Sequence, residues 1–420
     1  MSASERPPSQ DSFATWLNPF DPAFQDNPYP TYHRLRELDP IHHRPEFDLW
    51  FLMRYADVQA VLRDTRFSSE SASNDPNLFR NLRESGGELG TLARTMLHWM
   101  PLRDPPHHTR LRHLVNKAFT PRHIEAMRPR IANIVDQLLE PVLEVGRMDF
   151  VRDFAHPLPV IVIAEMLGVP VADQAQLKQW SDDMALALDP LQVGARRAEG
   201  DRAAVEMTKL FQRVAEERRR APRDDLLSAL LAAEEQGDRL SMDELLATCV
   251  LLLFAGNETT TNLLGNGLLA LLRNPGELAL LQQDPSLVRG AVEELLRYDS
   301  PLQFAARLAK EDVEIDGRIL RAGQRAVLLL GSANHDPAEF SDPDRLDVRR
   351  QDHRHVAFGF GMHFCLGAGL ARAEAQIALD TLVRRLPGIT LGADPPVRRP
   401  SIALRGLSSL PVEFEPRRAH

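Results

Sequence analysis

Cys365 sits in the run Phe358-Gly359-Phe360-Gly361-Met362-His363-Phe364-Cys365-Leu366-Gly367, and Ala368 to Glu374 after it reads as the start of a helix. A lone thiol framed by residues without side-chain bulk suits the axial ligand of a flat cofactor, because glycines let a planar ring lie against the main chain. They also free backbone N–H groups to point at the sulfur and tune its donor strength. The dipole of the following helix favours thiolate over thiol. A thiolate on haem iron would push electron density toward bound oxygen and favour O–O cleavage. Three other uses of the thiol explain less. A free cysteine is commonly a small buried hydrophobe. A Cys–His hydrolase pairing with His363 leaves Gly361 and Gly367 without a role. Structural zinc needs further ligands, and the other cysteine, Cys249, lies far upstream without ligand spacing.

A second concentration of chemistry is Ala255-Gly256-Asn257-Glu258-Thr259-Thr260-Thr261-Asn262, in the middle of an apolar helical pattern. Ser241-Met242-Asp243-Glu244 opens that pattern as a capping box and Pro275 stops it. The helix between them is roughly 50 Å long. An acid and hydroxyls inside a buried helix are costly unless bonded or used. Gly256 weakens the helix locally and lets a ligand or water approach the backbone. Glu258 and Thr259 therefore read as a proton-delivery pair. The competing reading has the threonines bonding back to the preceding turn and Glu258 in an ion pair.

Two further segments place opposite charges on helix faces. Glu294 and Arg297 stand at i, i+3, where side chains meet, although an isolated pair of this kind contributes little. In Asp104-Pro105-Pro106-His107-His108-Thr109-Arg110-Leu111-Arg112, the prolines suit a helix start, and His108 and Arg112 then share a face. Cations near a helix start oppose its dipole unless an anion lies beside them.

The cysteine run, written Phe-x-x-Gly-x-His-x-Cys-x-Gly, resembles the haem-binding signature of the cytochrome P450 family, the haem-thiolate monooxygenases. Residues 255–260 resemble that family's oxygen-binding motif, residues 294–297 its Glu-x-x-Arg motif, and residues 104–112 its Asp-Pro-Pro-x-His-Thr-Arg-x-Arg segment. These run in family order, and softer matches extend from Asn27-Pro28-Tyr29 to Leu404-Arg405-Gly406-Leu407. The resemblance implies haem b (iron protoporphyrin IX) ligated by Cys365 and cradled by Phe358, Gly359 and Gly367, with Ala255 and Gly256 lining the groove above iron. It implies that His108, Arg112, Arg307 and His363 bind the propionates, and that Thr259 and Glu258 deliver protons to bound dioxygen. Glu294, Arg297 and a downstream arginine, Arg345 by position in Asp342-Pro343-Asp344-Arg345, would frame the proximal side. Leu251, Phe254, Ala255, Leu302, Phe304 and Leu407 would face the substrate. The stretches around 70–103 and 183–195 are candidate lids, with Trp99, Met100 and Leu188 contributing. His107 and Arg110 are expected to be solvated or in docking contacts. Two departures stand out: His335 where many bacterial members have arginine, and Asn257 where histidine is frequent.

The activity so implied is that of the soluble bacterial members. Dioxygen is activated to hydroxylate or epoxidise a hydrophobic small molecule: a natural product, steroid, terpene, fatty acid or xenobiotic. Electrons would come from NAD(P)H through a separate ferredoxin or flavodoxin and its reductase. A peroxide-driven haem peroxygenase and a non-enzymatic haem sensor or carrier are the alternatives, and the Glu258–Thr259 pair has no task in either.

The elements that must position these groups follow from pattern and composition. In 420 residues, 43% are hydrophobic and 26% charged, as in an ordinary globular protein. A net charge of −9, from 50 Lys+Arg against 59 Asp+Glu, gives no sign of nucleic-acid binding. Two cysteines fit a reducing cytosol and argue against a disulfide scaffold. The polar start, Met1 to Gln10, contains no anchor, and residues 1–20 read as a flexible segment. The apolar run Leu245 to Gly256 is too short to span a bilayer. Helical patterns occupy residues 120–170, 196–235, 241–274, 284–298 and 367–386. Strands are expected at Trp50 to Met53 and Ala326 to Leu330, and in a hairpin turning at Asp316-Gly317. The expected architecture is mainly α with small β-sheets (α+β): one large cytochrome P450-like domain over residues 1–420, monomeric, with haem between a long central helix and the cysteine loop.

Overall fold

The computed structural model describes residues 18, 21–45, 47–70, 90–189, 196–235 and 237–417. Most of residues 1–20, and the central parts of both expected lids, lie outside them.

The helices that matter for the site are α1 (Tyr29–Leu38), α2 (Tyr55–Arg63), α3 (His107–Ala118), α4 (Pro121–Leu143), α5 (Pro157–Met166), α6 (Val171–Leu188), α7 (Arg197–Arg220), α8 (Met242–Arg273), α9 (Val288–Tyr298) and α10 (Ala368–Arg385). Helix α8 is the axle of the body. Ser241 Oγ accepts from Glu244 N at 3.2 Å while Glu244 Oε2 accepts from Ser241 N at 2.9 Å, so the capping box forms as read. Along α8, both apolar stretches are buried on every side, because α5, α6, α7, α9 and α10 all pack against it. Helix α9 buries Val288, Ala291, Val292, Leu295 and Leu296, a spacing of three and four that keeps one face inward.

The strands are β1 (Ile41–Arg44), β2 (Leu49–Leu52), β3 (Phe67–Ser68), β4 (Phe304–Ala309), β5 (Val313–Ile315), β6 (Arg318–Leu320) and β7 (Arg325–Leu329). The main sheet has the order β1-β2-β7-β4-β3, with β2 and β7 parallel and the other neighbours antiparallel. Strands β5 and β6 form the expected hairpin, with Asp316 at φ 46° and Gly317 at φ 74°, both left-handed as a type I′ turn requires.

Two long helical patterns are divided. Residues 120–170 form α4, a short strand at Arg147–Asp149, a π-turn at Val151–Ala155, and α5. The break comes at Gly146, whose φ of 74° and closeness to the Phe414 carbonyl admit no side chain. Residues 196–235 form α7 and a second helix, Leu226–Ala232, capped by Asp225.

Candidate functional site

The cysteine loop leaves the sheet region through His355, Val356 and Ala357, all buried, and folds back on itself where Cys365 N donates to the Phe358 carbonyl at 2.9 Å. Gly359 (φ 69°) and Gly361 (φ 71°) take the left-handed turns the reversal needs, and a Cβ on Gly361 would lie 2.8 Å from the Leu62 carbonyl of α2. Arg63 stacks on Phe360 with its guanidinium carbon 4.1 Å from the ring centroid, and Arg372 on Phe358 at 4.6 Å, pinning both aromatic rings.

Cys365 has exposed surface, yet burial pushes its thiol up. A thiol that water can reach, but that is enclosed enough to resist ionisation, lines an internal space. Backbone N–H groups of Gly367 and Ala368 and the guanidiniums of Arg112 and Arg372 act in the opposite direction, toward the thiolate. A Cβ on Gly367 would lie 4.0 Å from the sulfur.

Around this loop the structure gathers the four predicted anion binders. Helix α3 starts after Pro106, as the sequence requires, and buries His108 on the face that carries Arg112. The rings of His108 and His363 are 4.3 Å apart. Burial, reinforced by Arg307 and His108, holds His363 down at about 3; burial and Arg112 lower His108. Arg307, on β4, is lowered to about 10 by burial, with Asp104 as the one opposing charge. Among the described residues its hydrogen bond goes only to the adjacent Ala306 carbonyl, at 2.8 Å. Arg112 makes no hydrogen bond among the described residues. His108 Nε2 and His363 Nδ1 are buried without a partner. Two guanidiniums and two orphaned imidazole nitrogens therefore face a deficit of negative charge, which is what the two propionates of a haem would fill.

In α8 the burial pattern breaks once. Ala255 is exposed and Gly256 and Thr259 are half-buried between fully buried turns, and a Cβ on Gly256 would meet nothing within 4 Å. The middle of the central helix thus borders open space, with room for a flat ring or a small ligand against the backbone. Thr259 Oγ1 donates to the Ala255 carbonyl at 2.8 Å, and Glu258 Oε2 accepts from Arg399 at 2.6 Å. Both competing contacts considered from sequence are therefore present. They leave the lone pairs of Thr259 and the second oxygen of Glu258 unused, and Glu258 Oε1 is buried with no partner. Burial pushes the Glu258 carboxyl up, against the pull of Arg399. Asn257 does not line the open space: its Nδ2 donates to Ser181 Oγ of α6 at 2.9 Å.

The frame on the opposite side needs one correction. Glu294 and Arg297 form a buried two-point pair at 2.7 and 2.8 Å, and Arg297 also donates to the carbonyls of Asn334 and Pro343, both at 2.8 Å. The third charge is Arg350, 3.0 Å from Glu294 Oε2, and not Arg345. Arg345 offers only its carbonyl to Arg297; its side chain is 66% exposed and pairs with Asp347. Arg110 is also not free, because it ties α3 to Asp238 and to Glu244 at the start of α8.

Of the residues expected to face the substrate, Phe254 stacks on Trp99 at 5.6 Å, Ala255 borders the open space, Leu251 lies at the edge of the core and Leu302 is half-buried beside Leu404. Two others point elsewhere. Phe304 packs with Tyr32, Leu35 and Met53 under α1, because alternation along β4 puts it on the face opposite Arg307. Leu407 is buried against α8 near Gly265, beyond the polar middle of the helix.

Sequence reasoning passed over His156 and Asp182, which converge on Glu258, and Glu374 of α10. Glu374 is fully enclosed, its Oε2 has no partner, and burial pushes its carboxyl up to about 8. An acid on an otherwise apolar helix face was the available signal.

Comparison with known proteins adds to this geometry. The family model for cytochrome P450 matches residues 98–397. The chain is 39% identical over 394 residues to the biotin biosynthesis cytochrome P450 of Bacillus subtilis strain 168, covering 93% of this chain and 97% of that protein. It is 41% identical over 406 residues to the vitamin D(3) 25-hydroxylase of Pseudonocardia autotrophica, covering 95% and 97%. Among solved structures it matches P450BioI in complex with an acyl carrier protein ligated to hexadec-9Z-enoic acid, with a TM-score of 0.86 and 39% identity over 94% of this chain and 99% of that one.

Proposed function

Because the chain belongs to the cytochrome P450 family and is a monooxygenase of that family, we propose that it binds haem b through Cys365 and inserts one atom of dioxygen into a hydrophobic small molecule. The observation that carries this reading is the reachable thiol of Cys365, with backbone N–H groups directed at it, beside two arginines and two histidines with unpaired ring nitrogens that face Asp104 as their one nearby carboxylate among the described residues. Haem bound there would supply the oxygen and electron chemistry.

The protein's own residues do the rest. His108, Arg112, Arg307 and His363 hold the propionates, while Phe358, Gly359 and Gly367 leave room for the ring on the thiol side and Ala255 and Gly256 on the other. Glu258 holds a proton at its unpaired Oε1, and the Thr259 hydroxyl, which donates its own proton in a hydrogen bond to the Ala255 carbonyl, accepts a hydrogen bond at its free lone pairs and so positions the proton carrier at the open space. Leu251, Phe254, Ala255 and Leu302 present apolar surface to the substrate and exclude water. Glu294, Arg297 and Arg350 fix the segment leading into the cysteine loop without touching the reaction.

The names of the relatives point to lipid-like substrates: a vitamin D(3) hydroxylase, and a structure with a fatty acid carried on a protein. An apolar substrate of that size range, with electrons delivered by a separate ferredoxin or flavodoxin, is the reading we adopt. No helix of the described residues is long and apolar enough to cross a membrane. The deciding measurement is the optical spectrum of the reduced protein under carbon monoxide. A strongly red-shifted Soret band, lost in Cys365→Ser, is expected; a band typical of histidine ligation, insensitive to that substitution, would overturn the reading.

A further inference from the structure

We propose that His156 and Asp182 form the inlet through which protons from solvent reach Glu258. The inference rests on the reading of Glu258 as a proton donor and extends it to residues outside the motif that suggested it.

Asp182 projects from α6, His156 joins the π-turn at Val151–Ala155 to α5, and Glu258 sits at the middle of α8. One ligand-type atom from each of the three lies within 4.8 Å of the other two. His156 Nε2 and Asp182 Oδ1 are 2.7 Å apart. Exposure falls along the series, from 37% for the Asp182 side chain to 4% for His156 and 2% for Glu258. At its inner end two atoms are enclosed and unsatisfied, Glu258 Oε1 and His156 Nδ1. A buried donor or acceptor without a partner is uncommon and calls for a reason. Here the reason is transfer: an imidazole that takes a proton on one nitrogen can release one from the other, which passes the charge and leaves the opposite tautomer, reset by a turn of the ring before the next transfer.

The other group on Glu258 cannot do this. Arg399 occupies Oε2, but a guanidinium stays protonated throughout the working pH range, so it neutralises the carboxylate without carrying protons to it. The groups acting on Glu258 are thus Arg399 from the C-terminal segment, Asp182 from α6 and His156 from the turn before α5, and of these the His–Asp couple pairs a titratable side chain with exposed surface on Asp182.

Helix α8 itself holds the couple in place. Asn257 donates to Ser181, the neighbour of Asp182, and Thr261 donates to the carbonyl of Ala155, the neighbour of His156, at 3.2 Å. The same Thr261 hydroxyl lies 3.3 Å from Asn257 Oδ1, so its single proton is shared between the two acceptors. Asn257 is accordingly a positioning residue. It fixes the two carriers relative to the acid next to it in sequence and does not supply a proton.

The test is infrared spectroscopy of the haem-loaded ferric protein. The carboxyl stretch of Glu258, identified by its loss in Glu258→Gln, is followed after rapid transfer into D2O at a pH where the group is protonated. Exchange should slow roughly tenfold or more in both Asp182→Asn and His156→Gln. Asp182 is partly exposed, so its variant keeps the test usable should the buried His156→Gln fail to fold. Exchange as fast as wild type in Asp182→Asn would overturn the inlet. Absence of the red-shifted carbon monoxide band in wild type would overturn the haem-thiolate reading, and this proposal with it. A normal band with unchanged exchange would remove the inlet alone.

Discussion

Arg350 closes on Glu294 at 3.0 Å, completing a buried three-charge group whose other cation, Arg297, is bound on both oxygens of the same carboxylate. Arg297 still compensates Glu294 when Arg350 is removed, so the loss is that of one charged contact to a buried carboxylate, which is about 1.5–3 kcal/mol. Arg350→Ala should therefore destabilise the protein by about 1.5 kcal/mol in chemical denaturation. Arg345→Ala, at an exposed position, should stay within about 0.5 kcal/mol of wild type. Equal effects would show that the frame has been misassigned.

Arg307 and His108 should matter for cofactor retention more than for folding. Each offers a donor to an anion where, among the described residues, Asp104 is the one nearby carboxylate and makes no hydrogen bond to either. Losing a hydrogen bond to a charged group costs about 1.5–3 kcal/mol, so haem should leave Arg307→Ala about ten- to a hundredfold more readily. Haem transfer to an acceptor apoprotein measures this. Wild-type retention in Arg307→Ala would place the propionates elsewhere.

Thr259→Ala keeps the helix, since alanine is the better helix former, and removes the hydroxyl that borders the open space. Consumption of NAD(P)H should continue while product per reducing equivalent drops by roughly tenfold or more. Coupling equal to wild type would count heavily against the Glu258–Thr259 relay.

Glu374 gives a pH dependence of known sign. Its folded value, raised by burial to about 8, lies above the ordinary carboxylate range. Below that ordinary range both folded and unfolded chains hold the proton, and the group contributes nothing to the pH dependence. As pH rises toward 8 the unfolded chain gives up the proton and the folded one keeps it, so stability falls with pH across this window and levels off above it. Glu374→Gln should remove that decline and be the more stable protein at neutral pH, as followed by denaturant midpoint against pH. An unchanged slope would mean that another group carries it.

What was legible in the sequence was what is encoded locally. The capping box at Ser241, the start of α3 after Pro106, the hairpin at Asp316-Gly317 and the cysteine loop each depend on residues a few positions apart, and each formed. Contacts decided by how distant segments return were not legible. Arg345 and Arg350 both follow Glu294 at compatible distances, and only the path of the connecting loop selects Arg350. Phe304 and Leu407 were placed by their positions in the family resemblance, but the face of a strand and the height along α8 decide what a side chain meets. Gly146 interrupts what reads as one long helix because Phe414, from the far end of the chain, packs where a side chain would go. His156 and Asp182 lie on separate elements, with no shared motif to pair them.

The parallel pairing of β2 with β7, from Leu49↔Arg325 to Leu52↔Leu328, bears on how the protein is made. At about 5–20 residues per second, a ribosome needs on the order of tens of seconds to travel from one strand to the other. Through that interval the β1–β2 ribbon, too small to be stable alone, carries an unmatched edge. Arg405, made later still, donates to the carbonyls of Gln25 and Asp26 at 2.6 Å each. The contacts that hold the first segments are thus complete only once the last ones have been made.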